Sequence, residues 1–115
     1  MHEYSIAGAL LDRIEDELRR HAGAEVLRVR VRVGELSGVD GDLLQSAWSL
    51  AREGTACARA ELELAGEAAR GVCPRCQDGI RAGTALRCPR CEVPARLASG
   101  DALLLEQIEM EVSDV

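Results

Sequence analysis

The sequence predicts an α+β fold, a three-stranded sheet with two helices, interrupted before its last strand by a small cysteine-bearing subdomain. Two stretches carry apolar residues at helical spacing and three alternate apolar with charged residues at strand spacing. Two CPRC tetrapeptides lie between the second and third of those strands. At 115 residues the chain suits one modest domain with an appendage, because it has too little apolar surface for two full cores.

The first element is "YSIAGALLDRIEDELRRHAG", where Ile6, Ala7, Leu10, Leu11, Ile14 and Leu18 recur on one helical face and Gly23 supplies the stop. Arg13, Glu17 and Arg20 fall on the solvated side. "EVLRVRVRVGEL" then alternates Val29, Val31 and Val33 with Arg28, Arg30 and Arg32, the period of a strand with one buried face. A turn-rich connection from Gly34 to Gly41 leads to a second helix with Leu43, Leu44, Ala47, Trp48 and Ala51 inward, ending near Gly54. Asp40 or Asp42 is its expected N-cap. "ARAELELAG" gives the second strand and "ALLLEQIEMEV" the third, with a bulge expected near Leu105 and Glu106, where the alternation slips.

The arginines of the first strand are expected opposite Glu61 and Glu63, or Glu109 and Glu111. Opposite charges across a sheet contribute a few tenths to about 1 kcal/mol each. Sheet pairing is therefore a sufficient reason for the arginine run, and it is preferred here over a binding patch.

Cys73, Cys76, Cys88 and Cys91 form C-x2-C-x11-C-x2-C, a spacing that lets two short turns present four thiolates tetrahedrally to one ion. Pro74 and Pro89 stiffen the turn after each first cysteine. The segment 70–96 reads as a zinc ribbon inserted into an α+β domain made of 1–69 and 97–115. A dithiol redox reading is weaker, since a second CPRC lies close by and no βαβ pattern surrounds either. Four cysteines close the shell, so this zinc is expected to be structural rather than catalytic. Six arginines between Arg70 and Arg96 face only Asp78 and Glu92, and part of that surplus offsets the negative charge of a four-thiolate zinc site. Cys57 lacks a partner at ligand spacing and reads as a small buried residue.

The chain carries a formal charge of -6, no Phe, one Trp and one Tyr. That balance argues against a generic nucleic-acid surface, which needs clustered positive charge. No apolar run is long enough to span a bilayer and no signal-peptide layout opens the chain, so the expected protein is soluble and cytoplasmic, without a membrane partner. The four paired cysteines suit metal ligation in such a reducing compartment.

"MHEYS" opens the sequence. The α-amine of Met1, the backbone nitrogen of His2 and the His2 Nδ1 can close a five-membered and then a six-membered chelate ring on one metal. Nitrogen donors of this kind suit nickel or copper, and the Glu3 carboxylate could complete the shell. A zinc-ribbon adaptor for nucleic acid or protein would use the ribbon arginines but leaves this motif unexplained. A metal-dependent hydrolase would need an open metal and a general base, and His21, at the end of the first helix, is not placed to serve. No catalytic residue is assigned, and the chain does not read as an enzyme.

"MHEYS" at the start, "VRVGELSGVD" after the first helix and a CPRC pair before the final strand together resemble the HypA/HybF family of hydrogenase-maturation nickel chaperones, over nearly the full length. The resemblance implies a metallochaperone that carries transferable Ni(2+) to nickel-iron hydrogenase and its maturation complex, with the GTPase HypB as partner and urease as a second client of some members. It implies nickel ligation by Met1, His2 and Glu3, with Asp40 matching a carboxylate position near the same site. Zinc would take Cys73, Cys76, Cys88 and Cys91. The loop between the cysteine pairs is slightly shorter than the family's usual form.

Overall fold

A computed structural model describes residues 2–81 and 86–112. In chain order its elements are α1 (Glu3–Leu18), β1 (Glu25–Gly34), α2 (Gly41–Ala51), β2 (Glu61–Glu67), β3 (Arg70–Val72), β4 (Gly79–Arg81), β5 (Arg96–Ser99) and β6 (Leu103–Glu111). They form two three-stranded sheets, ordered β2-β1-β6 and β4-β3-β5. The first sheet with its two helices is the expected α+β body. The second is the cysteine-bearing insertion, whose β5 runs on to Ser99 and pairs with β3.

Both helices lie on the valine face of the larger sheet. Ala7, Leu10, Leu11 and Ile14 of α1 meet Val26, Val29 and Val31 of β1, and Leu44, Ala47 and Trp48 of α2 complete the same buried cluster. The Trp48 Nε1–H donates to the Ala60 carbonyl at 3.0 Å, so the one indole of the chain is buried without stranding its donor. Leu43 departs from expectation. It is 52% exposed, because the inward stripe runs through Leu44, Ala47, Trp48 and Ala51, and Leu43 stands one residue, about 100°, off it. After each helix a glycine with positive φ, Gly23 at 78° and Gly54 at 73°, turns the chain back at no Cβ cost.

β1 is central, parallel to β2 and antiparallel to β6. Its arginines therefore meet acids on both sides rather than one: Arg30 reaches Glu63 at 3.3 Å and Glu106 at 3.7 Å, and Arg32 reaches Glu67 at 3.2 Å and Glu106 at 2.6 Å. Arg28 lies 3.9 Å from both Glu63 and Glu109. Glu111 is not among these partners, since the register sets it across from Glu25. The bulge falls where the alternation slipped: Arg30 faces Gln107 and Val31 faces Leu105, leaving Glu106 as the extra residue. That insertion keeps Leu105 and Ile108 on the helix side and turns Glu106 toward the arginines. A second irregularity at Leu27 was not expected. It resets the parity of "EVLRV" so that Val26 and Val29 are both buried.

Where the two sheets join, backbone approaches backbone. A Cβ on Gly100 would stand 2.4 Å from Ala69 Cα, and one on Gly34 would stand 2.5 Å from the Gly100 carbonyl carbon. The close approach is fastened by hydrogen bonds from Leu36 N to Gly100 O at 2.7 Å and from Gly34 N to Ala102 O at 2.8 Å. Two carboxylates add to it: Glu35 accepts from Ala69 N at 2.8 Å and Glu67 from Gly100 N at 3.1 Å.

Candidate metal centre

The four ribbon cysteines converge. Their Sγ atoms all lie within 4.8 Å of one another, and Cys76 Sγ stands 3.8 Å from Cys88 Sγ. A tetrahedral zinc with Zn–S bonds of about 2.3 Å requires sulfur edges of about 3.8 Å, so the cluster already has the dimensions of a closed four-thiolate shell.

The two CPRC turns are built alike. Cys73 N donates to Asp78 O and Gln77 N returns to Cys73 O, while Cys88 N donates to Val93 O and Glu92 N returns to Cys88 O, all at 2.9 to 3.0 Å. In each turn the residue after the second cysteine takes positive φ, Gln77 at 65° and Glu92 at 55°. Backbone N–H groups point at the first sulfur of each turn: Arg75 N and Cys76 N at Cys73 Sγ, 3.4 and 3.5 Å, and Cys91 N at Cys88 Sγ, 3.4 Å. Such bonds favour the thiolate. They hold the Cys73 thiol down to about 6, the Cys76 N–H contributing most, whereas burial and then the neighbouring sulfurs push the Cys91 thiol up to about 12. Four crowded sulfurs release a first proton readily and keep the last, unless a divalent ion sits among them.

Charge around the cluster is arranged for the same end. The Arg90 guanidinium faces Cys76 and pairs with Asp78, interactions that raise its own pKa further. Arg90 thus lies against a sulfur, where it would offset the negative charge of a thiolate-held ion. The ribbon's own apolar core is small: Ile80 with Cys73 and Cys88, flanked by Val93 and Ala95. Arg90 is one of the six arginines expected to offset the charge of the metal site, but its contact with Cys76 and the turn positions of Gln77 and Glu92 escaped the sequence reading. The repeated pentads CPRCQ and CPRCE were the available signal, since both end on a residue placed identically after its turn.

The residues expected to hold nickel are only partly described. Met1 lies outside the described residues. His2 is exposed and forms the N-cap of α1 with no side-chain capping bond, and its carbonyl accepts the first intrahelical bond, from Ile6 N at 2.9 Å. Glu3 is 5% exposed, and its Oε2 accepts from Asp40 N at 3.2 Å. Hydrogen bonding, that from Asp40 N among it, holds the Glu3 carboxyl below the ordinary carboxylate range. Asp40 is the N-cap of α2, its Oδ1 accepting from Asp42 N at 3.0 Å and Leu43 N at 3.1 Å. The beginnings of both helices thus meet at Glu3 and Asp40, and these carboxylates offset the positive ends of two helix dipoles. Cys57 is wholly buried in the helix-sheet core, where burial pushes its thiol up to about 11. It stands apart from the four-sulfur cluster and is held as an inert thiol.

The sequence model described as "Hydrogenase/urease nickel incorporation, metallochaperone, hypA" matches residues 1–110. The chain is 34% identical over 113 residues to a hydrogenase maturation factor HypA of Desulfitobacterium hafniense, covering 96% of this chain and 99% of that one. It is 35% identical over 114 residues to that of Aquifex aeolicus, covering 97% and 99%. The solution structure of the nickel metallochaperone HypA from Helicobacter pylori superposes with a TM-score of 0.75 at 27% identity, over 98% of this chain and all of that one. With the two-layer body, the four-cysteine insertion and these matches in agreement, the chain belongs to the HypA family of hydrogenase and urease nickel-incorporation metallochaperones.

Proposed function

We propose that this protein carries nickel on its N-terminal residues and delivers it for nickel-iron hydrogenase maturation, without catalysing a reaction itself. Nickel is bound by the Met1 amine, the His2 amide nitrogen and imidazole, and Glu3, with Asp40 supplying a further carboxylate. The observation that carries this reading is the 3.2 Å hydrogen bond from Asp40 N to Glu3, which brings position 40 beside the start of the chain. His2 is free to turn: it is exposed, and its own N–H precedes the first helical donor and so lacks a helical partner. A carrier must also release its ion. Exposed amine and imidazole donors, with reference pKa values near about 8 and 6.5, lose affinity as protons or an acceptor compete.

The ribbon, 70–96 with the remainder of β5 to Ser99, is proposed to hold one structural Zn(2+) on Cys73, Cys76, Cys88 and Cys91, while 1–69 and 100–115 form the nickel domain. A dication is the chemistry that lets the last sulfur ionise, and it gives the ribbon the cohesion that its few apolar residues lack. The expected partners are a HypB-type GTPase and the hydrogenase large subunit or its maturation complex, with urease a second client, all in the cytoplasm. No helix among the described residues is long and apolar enough to cross a membrane.

The test is isothermal titration of Ni(II) into zinc-loaded protein beginning at Met1, against His2→Ala and against protein extended by one residue ahead of Met1. The extension converts the amine to an amide that has no basic lone pair, while every side chain is kept. Nickel affinity is expected to fall at least about tenfold in both, with a C-terminally tagged control unchanged. Equal affinity and identical absorption spectra for extended and unextended protein would refute the terminal site.

A further inference from the structure

The larger sheet has two outer edges, and they are finished differently. At β2, side chains of α2 and the residue after it reach main-chain carbonyls: Gln45 Nε2 donates to Leu62 O at 2.6 Å, and Trp48 and Arg52 donate to Ala60 O at 3.0 and 2.8 Å. At β6, among the described residues, no side chain reaches the backbone of Leu103–Glu111. A bare edge of nine residues is a template for another strand.

The chemistry beside that edge says which strand. On the helix side a mainly apolar groove is lined by Ile6, Ala9, Leu10 and, at one end, Arg13 of α1 and by Leu103, Leu104 and Leu105 of β6; Leu10 is buried, and the other apolar groups are half-buried or exposed. On the open side β6 presents Glu106, Glu109 and Glu111. The fold itself contains the matching strand. β1 lays Val31 across from Leu105 and Val29 across from Ile108, and on the other face sets Arg32 on Glu106 at 2.6 Å and Arg28 on Glu109 at 3.9 Å. A second copy of the chain fits poorly. Antiparallel pairing of two β6 strands would oppose glutamate to glutamate, which is destabilising, between molecules that each carry a formal charge of -6.

We propose that the free edge of β6 docks an extended segment of a partner protein in which apolar residues alternate with arginine or lysine. The segment adds as a fourth strand. Its main chain satisfies the edge, its apolar side chains fill the groove against α1, and its cations face Glu106, Glu109 and Glu111. Docking here uses none of the proposed nickel ligands, although Ile6 stands one helical turn from them, its N–H donating to His2 O at 2.9 Å.

The probe is an acetylated, amidated peptide of alternating valine and arginine, added to isotope-labelled, zinc-loaded full-length protein. Amide shifts are expected along Leu103–Glu111 and at Ile6 and Ala9. Binding is expected to disappear when alternate peptide nitrogens are N-methylated, and to weaken about three- to tenfold in Glu109→Gln, Glu111→Gln protein. Peptide alteration leaves the protein's fold untouched, so the two arms are independent. Equal binding of the N-methylated peptide would reduce the effect to charge attraction and overturn the proposal. Shifts confined to the ribbon would overturn it too, as would sedimentation showing that two copies of the chain already occupy each other's β6 edge.

Discussion

Replacing Asp40 separates two roles that one carboxylate can fill. As N-cap, its Oδ1 accepts from Asp42 N and Leu43 N at 3.0 and 3.1 Å, and removing such a cap costs about 0.5–2 kcal/mol. For a chain of this size about 1 kcal/mol corresponds to roughly 4 °C, so Asp40→Ala is expected to lower Tm by about 2–8 °C. Asp40→Asn keeps an oxygen acceptor of nearly equal capping strength and loses the charge–dipole attraction, worth about 0.3–1 kcal/mol. Its Tm should fall by no more than about 4 °C. The bond from Asp40 N to Glu3 survives in both, since it comes from the main chain.

Nickel affinity should follow the other role. If the second carboxylate oxygen helps to hold the cation, both variants lose the negative charge and both lose affinity, even though only Asp40→Ala loses the cap. Thermal melts by circular dichroism and nickel titrations on the same samples decide it. An Asp40→Asn protein that binds nickel as tightly as the parent would show that Asp40 is a cap and nothing more. An Asp40→Ala protein with unchanged Tm would refute the capping magnitude.

Three further outcomes are expected. Cys73→Ser with Cys88→Ser should take zinc from about one per chain to none, and hydrogen exchange should show loss of protection in β3, β4 and β5 while Val29 and Trp48 stay protected; retained zinc would remove the assignment. Gly100→Ala forces a Cβ to 2.4 Å from Ala69 Cα at a φ of 96°, so stability to urea should drop by more than about 2 kcal/mol, and an unshifted midpoint would mean that the junction yields freely. The Arg32 hydrogen bond, and then its charge and that of Arg30, hold the Glu106 carboxyl below its ordinary range. Being depressed in the folded state, it contributes stability fully present above the unfolded value near about 4.3 and lost as pH falls through the folded one. Acid titration of Glu106→Gln should therefore show a shallower loss of stability below about pH 4 than the parent, and superimposable curves would count against the ion pair.

The fold was legible where one physical period dominates. Val29 and Val31 alternate with arginines because one face of β1 is buried and the other is open, and Ala7, Leu10, Leu11 and Ile14 repeat because α1 has one inward stripe. Even the bulge at Glu106 could be read, since a parity slip has only that remedy in a strand that keeps its leucines inward. The Leu27 irregularity was obscured because leucine is apolar and suits either face. Leu43 was misjudged for a related reason: beside Leu44 it fits a broad apolar stripe, and only packing decides which leucine is inside. The ribbon's cysteine cluster announced itself by spacing, and the arginine surplus around it by composition, but which arginine meets a sulfur and the positive-φ roles of Gln77 and Glu92 did not, because they depend on where a turn directs a guanidinium or a carbonyl. The meeting of Glu3 with Asp40 is a tertiary fact about two helix N-termini that no local pattern encodes.

The body and the ribbon are stabilised by different means, and this bears on how, on the proposed reading, one chain treats two metals differently. The body buries Trp48, Ile14, Leu44 and three valines and owes nothing to an ion. The ribbon has Ile80 and its sulfurs, so its fold and its metal are held together. Removing that ion means dismantling both CPRC turns, with their N–H bonds to sulfur and their paired backbone bonds. On the proposed reading the cargo ion meets the opposite circumstances: His2 is exposed, makes no side-chain capping bond and lies on a helix whose buried face is fixed without it. Loss of nickel then costs the fold almost nothing, which is the thermodynamic condition for handing an ion on. The N-terminal extension and the double cysteine variant test the two halves of this contrast separately, and a carrier of this kind requires that the first weaken nickel binding without moving Tm while the second unfolds the ribbon without touching nickel.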